Sequence, residues 1–103
     1  MIQQSTKAQS ADSPSYLYQD KLEELLNQTG YMYMQFEQFD KSYAFFKMYI
    51  DDYPDDANAY DSMADYYESQ NDYSNALKSV TRAYELSQKD YHKNRMEELK
   101  KKI

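Results

Sequence analysis

The chain has 103 residues, a net charge of −6 and no cysteine, and its 41% apolar content includes thirteen tyrosines. This length suits one small domain, and the lack of cysteine excludes disulfides, thiolate metal sites and a cysteine nucleophile. The acidic balance disfavours nucleic acid and anionic membrane as partners, and one glycine with two prolines favours an all-α fold over a β-rich one.

The N-terminal segment, residues 1–13, is polar and shows no helical periodicity. We expect it to be a disordered lead-in or an interdomain linker. It has no long apolar run, so we predict neither a signal peptide nor a membrane anchor. A soluble chain of this kind could be cytoplasmic, or periplasmic if a longer parent protein carries an export signal.

The first long helix is predicted from Ser15 to Phe36, after a cap formed by Ser13 and Pro14. Its helical spacing is carried by Leu22, Leu25, Leu26, Thr29, Gly30 and Tyr33. A glycine in mid-helix costs up to about 1 kcal/mol relative to alanine, so Gly30 predicts a close approach of the second helix at Ser42.

Four aspartates are predicted to cap the remaining helices, and these are Asp40, Asp56, Asp72 and Asp90. The second helix should end before Pro54, the third should span 57–69, the fourth 73–88, and the last should run to Lys102. In the last helix we expect one apolar face, formed by Tyr91, Met96, Leu99 and Ile103. Its cationic residues are predicted to stay in water, and these are Lys93, Arg95, Lys100, Lys101 and Lys102.

The pattern of large and small residues repeats after 34 positions, a period known from helical hairpin repeats. The second copy places bulky residues at Tyr60, Met63, Tyr67, Tyr73 and Val80, and small ones at Ala64, Ala76 and Ala83. This pattern resembles the tetratricopeptide repeat (TPR). The resemblance implies two TPR-like hairpins, about residues 23–56 and 57–90, and a capping helix over 91–103, together a fragment of a right-handed α-solenoid. The first copy departs at Thr29, where a bulky residue is usual, and at Tyr49, where a small residue is usual.

Two strings, Leu25–Tyr31 and Tyr53–Tyr67, give a second resemblance. They are similar to the C-terminal helical-repeat extension that follows the catalytic domain in some bacterial serine esterases of the α/β-hydrolase class. This resemblance implies that the catalytic domain would lie upstream, so no catalytic residue can be assigned to this chain.

The TPR resemblance also implies a partner-binding concave face, formed by the first helix of each repeat. The corresponding residues here are Glu24, Asn27, Tyr31, Met34, Asn58, Asp61, Asp65 and Glu68. None of them is lysine or arginine, so the cationic clamp that binds a peptide carboxylate in this family is missing. We expect a protein partner, or an upstream domain of the same protein, with a basic or apolar contact surface. The alternative is an acidic face that is simply solvated.

Outside the concave face, the sequence predicts no chemistry but does predict a docking surface. The single histidine, His92, is predicted to be an ordinary surface residue, and we expect no enzymatic activity and no cofactor. The acidic run 51–56 lacks the ligand pattern of a calcium loop, so no metal site is predicted. Four tyrosines remain candidate surface anchors, and these are Tyr16, Tyr18, Tyr31 and Tyr66. A docking or homodimer face is predicted at the uncovered N-terminal end of the stack, formed by Tyr16, Leu17, Tyr18 and Leu22.

Taken together, the sequence predicts a non-catalytic interaction module that is an accessory domain of a larger protein. One alternative is an extension that controls substrate access to an upstream esterase domain. A second alternative is a free-standing adaptor that binds peptides.

Overall fold

The structure is a computed structural model that describes the backbone of residues 15–103 and the side chains from residue 21 onward. Within this range the chain forms five helices and no strand: α1 Ser15–Gln35, α2 Phe39–Asp52, α3 Ala57–Ser69, α4 Tyr73–Ser87 and α5 Asp90–Lys100. The predicted all-α class is therefore confirmed. The predictions for residues 1–13 and for the cap at Ser13 fall outside the described residues.

The helices pack as two successive hairpins followed by α5. α1 packs on α2 and α3 on α4, while α2 contacts α3 and α5 packs on α4. One buried cluster joins the hairpins and consists of Leu26, Tyr49 and Ala59. A second cluster lies between α3, α4 and α5 and consists of Ala64, Ala76, Val80 and Leu99. Each hairpin thus buries its apolar face against the next element along the chain.

Two of the four predicted aspartate caps are confirmed. Asp56 accepts a hydrogen bond from the backbone nitrogen of Asn58 at 2.9 Å, and Asp72 accepts one from Asn75 at 3.2 Å. The predictions for Asp40 and Asp90 are wrong, since Gln38 and Lys89 occupy those cap positions and make no side-chain cap bond. Both aspartates lie instead in the first helical turn. A carboxylate there still interacts favourably with the helix dipole.

Gly30 permits a close contact between α1 and α2. The hydroxyl of Ser42 donates a 2.8 Å hydrogen bond to the carbonyl of Gly30, as the predicted close approach requires. A Cβ atom added at Gly30 would lie 2.6 Å from Cδ1 of Phe46, whose ring is fully buried. The glycine therefore serves packing within the first hairpin.

The two hairpins turn through the same backbone geometry. Glu37 and Asn71, which are 34 residues apart, adopt left-handed conformations with φ of 60° and 58°. The residue after each of them donates its backbone N–H to a carbonyl five residues earlier, at 2.8 and 2.9 Å. These bonds are typical of the Schellman ending of a helix. The 34-residue sequence period is thus also a period of the backbone.

Tyr49 fills the position at which the first repeat departs from the usual small residue. Its side chain is buried, and its hydroxyl donates to Asp56 at 2.7 Å and accepts from Nδ2 of Asn58 at 3.2 Å. The large ring is accommodated because its polar tip reaches the α2–α3 turn, where hydrogen-bonding partners are available.

Candidate functional site

The first helices of the two hairpins, α1 and α3, are linked by side chains of the predicted concave face. Asn27 accepts a hydrogen bond from the hydroxyl of Ser62, and Tyr31 donates its phenolic hydrogen to Asp65. Both links join positions 34 or 35 residues apart, so equivalent turns of the two helices lie side by side. The structure therefore brings these predicted site residues together on one surface.

Arg95 of α5 occupies the acidic part of this surface. Its guanidinium donates to Asp61 at 2.6 Å and to Glu68 at 2.6 Å, and it also bonds Asp65. One N–H group reaches the backbone carbonyl of Asp61 as well, at 3.3 Å. A single planar cation thus binds three of the carboxylates that were predicted to bind a partner.

The electrostatics of this cluster are those of an ion pair held partly out of water. Burial lowers the pKa of the Arg95 guanidinium, but the hydrogen bond to Glu68 and the charges of Asp65 and Asp61 outweigh it, so the pKa lies above its ordinary value. The side chain of Arg95 is only 15% exposed. The prediction that Arg95 stays in water is therefore wrong, because the three carboxylates of α3 face the position that it occupies.

Tyr31 completes the cluster on the α1 side. Burial, assisted by the hydrogen bond to Asp65, raises the pKa of the Tyr31 hydroxyl above its ordinary value. Its ring packs edge-on against Phe46, with 4.9 Å between the ring centroids. Tyr66, another candidate anchor, is half-buried and packs 5.4 Å from Tyr43 and from Tyr67. Both tyrosines are thus built into the contact between neighbouring elements.

His92 is buried at 7% exposure, so its prediction as an ordinary surface residue is wrong. Its Nδ1 lies 2.7 Å from the hydroxyl of Ser87, and its Nε2 lies 3.7 Å from Asp61. The Ser87 hydroxyl also accepts a 3.1 Å hydrogen bond from the backbone of Lys89. These contacts fix the α4–α5 turn and hold the start of α5 against α3.

Two open clefts flank Asn58, which is itself exposed on the predicted face. The first has a volume of about 450 Å³ and is lined by residues of the α3 start and the α4–α5 turn, including Asp56, Asp61 and His92. The second has about 430 Å³ and is lined by Glu23, Glu24, Asn27, Gln28 and Tyr49. The polar face therefore continues across α1, α3 and α5, with carboxylates along most of its length.

A different kind of surface lies on α1. Leu22, Leu25 and Met32 of α1 are exposed at 42, 58 and 43%, and Phe36, which follows α1 directly and donates its backbone N–H to Met32, is exposed at 67%. Their spacing of three, seven and four residues places them along one side of the helix. Leu22 was part of the predicted docking face, whereas the side chains of Tyr16, Leu17 and Tyr18 lie outside the described residues. The exposed apolar line extends further toward the end of α1 than the sequence indicated.

Among the residues that the structure describes, no group of three histidine, aspartate or glutamate side chains is arranged to hold a metal ion. None of the described helices is both long and apolar enough to cross a membrane. Comparison with protein-family models and with curated proteins gives no match for this chain.

Sequence reasoning missed Arg95 and Ser87 as parts of the polar site. The 34-residue period contains a signal for the arginine, because Asn27, Asp61 and Arg95 occupy equivalent positions of α1, α3 and α5. Extending the repeat alignment into α5 would have placed a cation beside Asp61. No comparable sequence signal marks Ser87, whose role depends on how the α4–α5 turn folds back.

Proposed function

We propose that this chain is a non-catalytic interaction module, built from two TPR-like hairpins and a capping helix, that binds its partner through α1. The observation that carries the proposal is the exposed apolar line of Leu22, Leu25, Met32 and Phe36. Contiguous apolar side chains on the surface of a small protein usually mark an interaction site. The polar face is a weaker candidate, because Arg95 already binds its three central carboxylates.

The chemistry of the α1 surface favours an apolar contact over a basic one. Complete burial of an exposed leucine, methionine or phenylalanine contributes about 1.5–3 kcal/mol, and each of these four partly covered side chains would contribute a fraction of that. An accessory domain of a larger protein would use such a surface to dock on a neighbouring domain, and an upstream esterase domain is the specific version that the sequence resemblance supports. In a free-standing adaptor, the same surface would bind an apolar helix or peptide.

A photo-cross-linking amino acid placed at Met32 tests this proposal. We expect covalent products between position 32 and an identified protein, with a yield reduced about tenfold by Leu25→Glu in the same chain, as for a loss of about 1.4 kcal/mol. The same label at Lys100, exposed on α5, is the matched control. A yield at Met32 no higher than at Lys100 would overturn the proposal.

The proposal also includes the expectation of no ester hydrolysis. Ser87, His92 and Asp61 lie together, but Asp61 is bound by Arg95, so it is not available to orient His92 as a triad carboxylate would. We expect the repurified chain to hydrolyse p-nitrophenyl acetate no faster than buffer. Turnover that disappears in both Ser87→Ala and His92→Ala would contradict this expectation.

A further inference from the structure

The apolar line on α1 is long and nearly continuous. It consists of Leu22, Leu25, Met32 and Phe36, with the half-buried Thr29 between the second and third. These five residues follow one another at intervals of three and four, and they extend about 21 Å along the helix at 1.5 Å per residue. Such spacing forms the seam by which one helix packs along another. We call this set of five residues the α1 seam.

The charge around the α1 seam suits a second copy of the same chain. No charged residue occurs between Glu24 and Glu37, in a protein with a net charge of −6 and 29% charged residues. The exposed row beside the seam consists of Lys21, Gln28 and Gln35. Two acidic molecules would repel each other through most of their surfaces, but two α1 seams can meet without bringing carboxylates together.

The opposite end of the molecule does not complement the α1 seam. The outer side of α5 exposes Lys93, Asn94, Glu97, Lys100 and Lys101, and the two exposed apolar residues of this end, Tyr91 and Ile103, lie twelve residues apart at its two extremes. Packing this mainly charged side onto leucine, methionine and phenylalanine would remove charged groups from water without a partner, which is unfavourable. Head-to-tail assembly is therefore disfavoured relative to pairing of one seam with another. Pairing of one surface with itself gives a closed two-fold dimer.

We propose that the α1 seam binds the α1 seam of a second copy, which makes the protein an isologous homodimer. This inference rests on the proposed function, since it names the partner of the same surface. The dimer would bury Leu25 and Met32 of α1 and Phe36 directly after it, which are exposed at 58, 43 and 67%. It would leave the polar face of α3 and α5 open to solvent.

Sedimentation equilibrium over a concentration series tests the dimer. We expect the wild type to reach twice its chain mass of 12.4 kDa, and the variant Leu25→Glu with Met32→Glu to sediment as a monomer with unchanged helical circular dichroism. Ile103→Glu, which places the same charge at a 67% exposed apolar residue of the other end, is the matched control and should remain a dimer. The dissociation constant of the seam variant should rise at least about a hundredfold, as for a loss of about 2.8 kcal/mol.

Three outcomes would overturn the dimer. These are a wild type that stays monomeric at the highest concentration, a seam variant that still dimerises, and a dimer that dissociates in about 1 M salt, where exposed charge contacts are screened. The cross-linking experiment separates this failure from that of the proposed function. If position 32 captures another protein while the wild type is a monomer, only the dimer is wrong. If position 32 captures nothing, the interaction surface itself is wrong.

Discussion

Gly30 is the residue at which the packing of the first hairpin is most sensitive. A β-carbon there would lie 2.6 Å from Cδ1 of Phe46, inside the fully buried ring contact. We expect Gly30→Leu to lower the free energy of unfolding by about 1–3 kcal/mol, because overpacking exceeds the gain in helix propensity. Urea denaturation measures the change.

The control for this substitution is Asn94→Leu, at an exposed position of α5 away from the α1 seam. It should change the free energy of unfolding by less than about 0.5 kcal/mol. Replacing Phe46 by leucine in the Gly30→Leu background should recover part of the loss, because space is returned where the new side chain enters. Equal midpoints for wild type and Gly30→Leu would show that the contact of α1 with α2 is misplaced.

Two buried tyrosine hydroxyls make the fold sensitive to alkaline pH. Burial and hydrogen bonds to Asp65 and Asp56 raise the pKa of Tyr31 and of Tyr49 above the ordinary value of about 10. The folded state keeps these protons at a pH where the unfolded state has lost them. Their contribution to stability is therefore complete below about pH 10 and is lost as the pH rises above it.

We expect the urea midpoint to fall between about pH 10 and pH 12, and to fall less steeply in Tyr31→Phe, which has no hydroxyl to ionise in either state. The midpoints of both proteins at closely spaced pH values measure this difference. The prediction is wrong if the two proteins lose stability with the same slope over that interval.

At the scale of single elements, helix starts depend on two aspartate caps. We expect Asp72→Ala to destabilise by about 0.5–2 kcal/mol, since it removes the acceptor for the N–H of Asn75. Asp56→Ala should cost more than Asp72→Ala, because Asp56 also accepts from the hydroxyl of Tyr49. Asp55→Ala, at an exposed neighbour without a cap bond, is the control for thermal unfolding. A cost at Asp55 equal to that at Asp72 would contradict the role of the caps.

The positions of the helices could be predicted from the sequence because the spacing of apolar residues and the turn residues agree with each other. α3 was predicted over its observed range, and Gly30 correctly predicted the close approach of α2 at Ser42. The predicted cap of α2 was two residues too late, and that of α5 was one residue too late. An aspartate near a helix start predicts a cap in sequence, whereas the helix can begin one or two residues earlier and hold that aspartate in its first turn.

The polar site could be predicted only in part, because its central contact joins elements that are distant in the sequence. The acidic residues of α3 were recognised, but Arg95 and His92 were assigned to water. The apolar residues of a capping helix are evident from the sequence. Which of its polar residues face inward, however, depends on how the helix is rotated against α3. The observed rotation buries Leu99 and His92 and leaves Tyr91 and Ile103 exposed, so the predicted apolar face of α5 is only half right.

For the whole molecule, Arg95 supplies the central ionic contact between α5 and α3. We expect Arg95→Met to lower the free energy of unfolding by about 1–3 kcal/mol, between the values for exposed and for buried ion pairs. The substitution leaves Asp61, Asp65 and Glu68 close together without a cation, so part of the loss should be recovered in high salt. Guanidinium is itself a salt, so the measurement uses urea.

Lys93→Met removes a charge from the exposed side of the same helix and is the control. It should change stability by less than about 0.5 kcal/mol. Arg95→Lys keeps the charge but loses the planar fork, and should lie between the wild type and Arg95→Met. Stability of Arg95→Met equal to that of Lys93→Met would mean that the ion cluster contributes nothing to the docking of α5.

The 34-residue spacing of the links between first helices determines how a chain of this design can grow longer. Three hydrogen bonds join nearly equivalent positions of α1 with α3 and of α3 with α5, and these are Ser62 to Asn27, Tyr31 to Asp65, and Arg95 to Asp61. A duplicated 34-residue unit inserted ahead of α5 would therefore contact the same kinds of residues on both sides as the existing units do. A unit added beyond α5 would instead contact lysines and glutamates. Duplication inside the array therefore preserves an apolar first face and a charged last face at any length. Only the number of internal units, and with it the area of the polar face, would change.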